Sequence, residues 1–257
     1  MNLWCFGDSY VDQRLYFYDY PSEWKQNKYK SWILEICDRF DYTYYDYSFI
    51  GSSLDYTFKK FNDYRFSFNK NDVIIIATTN LNRRWFIKNS PQLSHTGFPE
   101  KDYPYNYLNA LKQYILYLEH EEIYVIYLLD FLYNVHALTE KLNLHTIILP
   151  CFKCTEDIIV KNKFLFPNFH IADGNLHNIS INEYSENLDP NIFRDHDGKI
   201  NHFIWSNHRI LANKIIDNIA NKTKIDLTNG FIEGVINSQS IKNKEFIEQE
   251  LKLNPFN

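Results

Sequence analysis

A serine directly behind Gly and Asp, at the end of a short apolar run, is the first group in this chain able to do covalent chemistry. The run is "NLWCF", and the triplet Gly7, Asp8, Ser9 lies in "FGDSY". Turns favour the same residues. Ser9 therefore reads as a nucleophile only if the chain also supplies a base and donors for an oxyanion, as ester hydrolysis at neutral pH requires. Two later corners supply donors: Gly51 closes "YTYYDYSFIG" and Asn80 closes "DVIIIATTN". The backbone N–H of Ser9, the backbone N–H of Gly51 and the side-chain amide of Asn80 each follow a strand-like run. Gly51 lacks the Cβ that would hold its backbone away from a substrate oxygen. The base must come from "RDHDGKINHFIWSNHRILANKI", which carries His196, His202 and His208. His202 sits in the loop before a helical pattern, where a side chain can reach across a rim. His208 falls inside that pattern and reads as structural, and His196 reads as an exposed loop residue.

The elements that must position these groups follow from periodicity. Residues 2–6 read as a strand and 25–40 as a helix with Trp32, Ile33, Ile36 and Cys37 on one face. The aromatic run ending at Gly51 reads as a second strand, and Leu54, Phe58 and Phe61 recur at helical spacing after it. "DVIIIATTN" is a near-continuous Val/Ile run that suits a central parallel strand buried on both faces. Leu108, Leu111, Ile115 and Leu118 predict a helix. Residues 121–143 keep helical spacing through Leu128, Leu132, Val135 and Leu138, although "IYVIY" alone would suit a strand. "HTIILP" is a further buried strand, and residues 206–220 form the last helix. Strands that alternate with helices and end in polar corners predict an α/β fold, a doubly wound parallel sheet in three α/β/α layers. Ligands of such sheets bind beyond the carboxyl ends of the strands, which puts Ser9, Gly51 and Asn80 on one rim. We expect one domain over residues 1–222 and a polar tail of unassigned role over residues 223–257.

"FGDSY", "FIGSSLD", "TTN" after a buried strand and "NHFIWSNHRILA" before the last helix resemble, in order and spacing, the four blocks of the SGNH hydrolases, also called the GDSL esterase/lipase family. The resemblance covers residues 2–220 and implies a flavodoxin-like fold. It implies Ser9 as nucleophile, Gly51 and Asn80 as oxyanion donors beside the Ser9 amide, and His202 as base. The family places an Asp three residues before that histidine, where this chain has Lys199. Asp197 is then the acid that would orient His202, with Asp195 as the next choice or a Ser-His dyad as the third. The third block reads Thr78, Thr79, Asn80, Leu81 in place of Gly-x-Asn-Asp, which leaves Asn82 as a rival donor.

The resemblance implies a carboxylic ester hydrolase working through an acyl-enzyme on Ser9, with an O-acetyl group on carbohydrate as a substrate class and no metal or organic cofactor. The alternative is a catalytically degenerate module of the same fold that binds a glycan or a protein partner. A flavodoxin-like nucleotide binder ranks last, for want of a Gly-rich phosphate loop. A net charge of −5 with no basic run argues against nucleic acid. The longest apolar stretch, residues 123–129, falls short of the ~20 residues of a membrane span. No basic-then-apolar leader opens the sequence, so a cytoplasmic location is the default expectation; the Lys, Asn, Ile and Tyr bias of an AT-rich genome and the scarcity of glycine would suit a phage or a small-genome bacterium. Cys151 and Cys154 form a lone CxxC, a weak zinc signal without a second pair. Arg83 and Arg84 read either as anion binders or as salt-bridged surface groups, and Trp85 as a sugar-stacking or core aromatic.

Overall fold

Each apolar run that closes in a polar corner forms a parallel strand. A computed structural model describes residues 1–12, 30–49, 51–81, 83, 109, 113, 120–180 and 203–231. The strands are β1 (Asn2–Phe6), β2 (Thr43–Asp46), β3 (Val73–Thr78), β4 (His145–Pro150) and β5 (Phe169–Ile171), and the helices are α1 (Trp32–Phe40), α2 (Leu54–Tyr64), α3 (Glu121–Leu142), α4 (Lys153–Asn162) and α5 (Trp205–Asn221). All neighbouring strands pair parallel, in the order β2-β1-β3-β4-β5. The chain leaves β1 for β2 on one side and for β3, β4 and β5 on the other, so the order reverses between β1 and β3. The crevice beyond that point is where open α/β sheets bind ligands.

Side chains alternate across the sheet as the pleat requires. Leu3, Cys5, Val73, Ile75, Ala77, Ile147 and Leu149 meet Trp32, Ile33 and Ile36 of α1 and Leu211, Ala212 and Ile215 of α5. Trp4, Phe6, Ile74, Ile76 and Ile148 meet α2, α3 and α4 through Leu54, Phe61, Leu128, Leu132 and Ile159. Both faces are covered, which is why β3 and β4 are buried at every residue. The fold is the three-layer α/β/α arrangement expected from the sequence.

Local chemistry sets the ends of the elements. Helix α1 starts at Trp32 because the Ser31 hydroxyl accepts from the Leu34 N–H at 3.4 Å. Of the residues expected to lead into it, 25–29 lie outside the described ones. Strand β2 stops at Asp46, five residues short of Gly51, because the Asp46 carboxylate turns back to accept from the Ser48 N–H at 2.9 Å and from the Ser48 hydroxyl. Residues 121–142 are one helix, so helical spacing prevails over the β-prone "IYVIY". Of the helix expected over residues 108–118, only 109 and 113 are described, and both are helical.

Packing continues past residue 222. The Asp173 N–H donates to the Ile225 carbonyl at 2.9 Å, and the Leu227 N–H donates to the Asp173 carbonyl at 2.8 Å. This short parallel bridge beyond β5 buries Ile225 and Leu227 in the α1/α5 side of the core. Residues 223–231 are thus part of the packed structure, and the rest of the expected tail lies outside the described residues.

Candidate active site

The corner after β1 is built from one glycine and one buried carboxylate. Gly7 has φ 153°, and a Cβ there would come within 2.8 Å of the Cβ and carbonyl oxygen of Ala77 on β3. No other residue lets the two central strands approach so closely at the switch point. The Gly7 carbonyl accepts from the Phe49 N–H at 3.1 Å and from the Ser52 hydroxyl at 2.9 Å. Those bonds tie the corner after β1 to the turn that carries Gly51, whose φ of 64° is left-handed.

Asp8 is fully buried and serves the corner on both sides. Its Oδ1 accepts from the Tyr10 N–H at 3.1 Å and from the Cys151 thiol at 3.7 Å. Its Oδ2 accepts from the Thr79 hydroxyl at 2.8 Å and from Arg83 Nη1 at 3.0 Å. The Asp8 carbonyl accepts from the N–H groups of Val11 and Asp12, each at 3.1 Å. Ser9 is thereby the first residue of a single helical turn, half-buried at the rim. Asn80 follows Thr79 at the end of β3, also half-buried, and its carbonyl accepts from the Arg83 N–H at 3.1 Å.

The structure therefore brings the corners of Ser9, Gly51 and Asn80 together on the rim above the adjacent strands β2, β1 and β3. His202 and Asp197 lie outside the described residues, as do Asp195, His196, Lys199, Asn82, Arg84 and Trp85. Phe203 is fully buried with its ring 5.3 Å from that of Tyr10. The neighbour of His202 thus packs on the neighbour of Ser9. His208 is buried within α5, where its Nδ1 accepts from the Trp32 N–H at 3.4 Å and its ring packs on Trp205, in keeping with a structural role.

Three features of the rim carry no local sequence signal. The first is the Thr79 and Arg83 bridge to Asp8, in which Arg83 forms an ion pair with the buried carboxylate. The second is Cys151, whose thiol is directed at Asp8 and is pushed up by burial and by that carboxylate. The third is His177, on a 3₁₀ turn after β5 (Leu176–Ile179). Its Nδ1 lies 3.4 Å from the Tyr10 hydroxyl, which also meets Ser180 Oγ at 3.2 Å. Burial, and then the Arg83 charge, hold its imidazole below the ordinary histidine value. Among the described residues no three His, Cys, Asp or Glu side chains gather as a metal site, and no helix is long and apolar enough to cross a membrane. Neither family models, curated proteins nor solved structures give a match to this chain.

Proposed function

We propose that this protein is a serine esterase of the SGNH type that hydrolyses carboxylic esters through an acyl-enzyme on Ser9. The observation that carries the reading is the contact between Phe203 and Tyr10, the residues that directly follow His202 and Ser9. It sets the residue after His202 against the residue after Ser9, which supports the assignment of His202 as the base. His202 takes the Ser9 proton as Ser9 Oγ attacks the ester carbonyl. The oxyanion is received by the N–H groups of Ser9 and Gly51 and by the Asn80 amide. Collapse expels the alcohol, protonated by His202. Water, deprotonated by the same imidazole, then attacks the acyl-enzyme and releases the acid. Asp197 orients His202 in this scheme. The N-termini of α2 and α4 open on the same rim, where the helix dipole favours developing negative charge. Within this class we propose acetyl esters of carbohydrates as substrates.

The test is hydrolysis of p-nitrophenyl acetate by the wild type, Ser9→Ala and His202→Ala, with labelling by a fluorophosphonate. We expect each substitution to remove at least about 10³-fold of kcat and the label to map to Ser9. A Ser9→Ala protein as active as the wild type would overturn the reading. Lys199, at the place where the family has its acid, favours the second reading of a glycan- or protein-binding module. An unlabelled Ser9 in folded protein would support that alternative.

A further inference from the structure

We infer that Arg83 is a positioning residue that locks the Ser9 corner to the Asn80 corner; the inference rests on the esterase reading above. Three groups form a closed triangle at the switch point. Asp8 Oδ2 and Thr79 Oγ1 are 2.8 Å apart, Thr79 Oγ1 and Arg83 Nη1 are 2.9 Å apart, and Arg83 Nη1 and Asp8 Oδ2 are 3.0 Å apart. A single guanidinium nitrogen, with its two hydrogens, thus engages the residue before the nucleophile and the residue before the amide donor. The Arg83 backbone N–H closes the Asn80 turn as well.

The charge balance makes the lock depend on Arg83. The Asp8 side chain is 0% exposed and that of Arg83 is 23% exposed. Of the four donors on the Asp8 carboxylate, the Tyr10 N–H, the Cys151 thiol and the Thr79 hydroxyl are neutral, and only Arg83 carries charge. The guanidinium also lies over the ring of Phe152, just beyond β4, 5.2 Å from its centroid. Removing a charged partner from a buried carboxylate leaves it uncompensated, so the group must reorient or draw in water. The same carboxylate and the carbonyl of Asp8 hold the N–H groups of Tyr10, Val11 and Asp12, the turn that aims Ser9. Reorientation of Asp8 therefore moves Ser9 against Asn80, and a misplacement of about 1 Å between reacting groups costs about 100-fold in rate.

The experiment compares the wild type, Arg83→Ala, Thr79→Val and Ser9→Ala on p-nitrophenyl acetate, with active sites counted by complete fluorophosphonate labelling. Arg83→Ala is expected to lower kcat per labelled site about 100-fold with KM within about threefold. Added methylguanidinium at millimolar concentration is expected to restore part of kcat. Thr79→Val keeps the shape and the ion pair but opens the triangle, and is expected to lower kcat about tenfold; it serves as the test if Arg83→Ala does not fold. A purely structural arginine would reduce the number of labelled sites and leave kcat per site unchanged, which overturns the inference. So would unchanged kcat per site in Thr79→Val. An inactive Ser9→Ala beside such results leaves the esterase reading standing. A fully active Ser9→Ala overturns that reading, and the role of Arg83 with it.

Discussion

His177 brings an imidazole to the rim that bears Ser9, and its surroundings argue against its acting as the base. Burial together with Arg83 opposes the protonated form that a base must reach during catalysis, and the group beside its Nδ1 is the neutral Tyr10 hydroxyl, not a carboxylate that would stabilise the imidazolium. We expect His177→Ala to keep kcat for p-nitrophenyl acetate within about fivefold, while His202→Ala loses about 10³-fold. The reverse result in steady-state assays would transfer the base to His177. At this scale the sequence identifies groups that belong to a local pattern. Gly7, Asp8 and Ser9 are legible because a strand followed by small polar residues is a corner. The reason Gly7 must be glycine is not legible, because it is a contact with Ala77, 70 residues away. The same holds for Arg83, whose partner Asp8 is 75 residues distant. His177 was invisible because its 3₁₀ turn follows a strand of three residues, too short to show a period.

Strand ends opposite the rim carry a pH dependence. His145 at the start of β4 stacks on His170 of β5, with ring centroids 4.2 Å apart. Its Nε2–H donates to Asn218 Oδ1 at 2.9 Å, and its Nδ1 accepts from Lys222 at the C-cap of α5. His145, His170 and Lys222 line a cavity of about 790 Å³ together with Glu140 of α3. Burial, then His170 and Lys222, push the His145 imidazole down to about 4 in the fold, and His170 is lowered too, by burial and then Lys222. An unfolded chain takes up these protons near pH 6.5. The neutral His145 side chain therefore contributes stability that is complete above about pH 6.5 and is lost as the pH falls toward 4. Its share is on the order of 3 kcal/mol. Urea midpoints measured from pH 7 to pH 4 should fall more steeply for the wild type than for His145→Gln; parallel curves would refute the assignment. The sequence shows the elements that carry this cluster more clearly than the cluster itself. "HTIILP" reads as a strand from its apolar residues, but nothing in it marks His145 as facing a lysine 77 residues away. The early end of β2 was likewise hidden, because an Asp side chain returning to its own backbone leaves the aromatic run looking unbroken.

The whole molecule is legible as far as alternation reaches. Apolar strands separated by helices dictate a parallel sheet covered on both faces, and the strand order puts the corners that carry Ser9 and Asn80 at the ends of neighbouring strands. Alternation gives no signal where a segment adds to the sheet edge by two hydrogen bonds. That is why a boundary drawn at residue 222 on polar composition cuts through packed structure. Lys222 itself has φ 59° and ends α5, so the helix stops where a helical pattern should stop. Beyond it, Ile225 and Leu227 are each 1% exposed and pack with Ala172, Leu176 and Ile215. Gly174, with φ 86°, lets the chain after β5 pass the Leu227 backbone, since a Cβ there would lie 3.2 Å from Leu227 Cβ. A solvated tail loses almost nothing on truncation of an aliphatic side chain, whereas a buried leucine loses 2–5 kcal/mol. Leu227→Ala should therefore lower stability by about 3 kcal/mol, read as a drop in the urea midpoint at unchanged slope. A loss below about 0.5 kcal/mol, the range of ordinary surface substitutions, would return residues 223–231 to the tail. The consequence reaches the rim, because Leu176 anchors the 3₁₀ turn that carries His177. A loosened Leu227 should then raise hydrogen exchange at the His177 and Ser180 amides, which bond to Cys151 and His177 carbonyls, ahead of global unfolding.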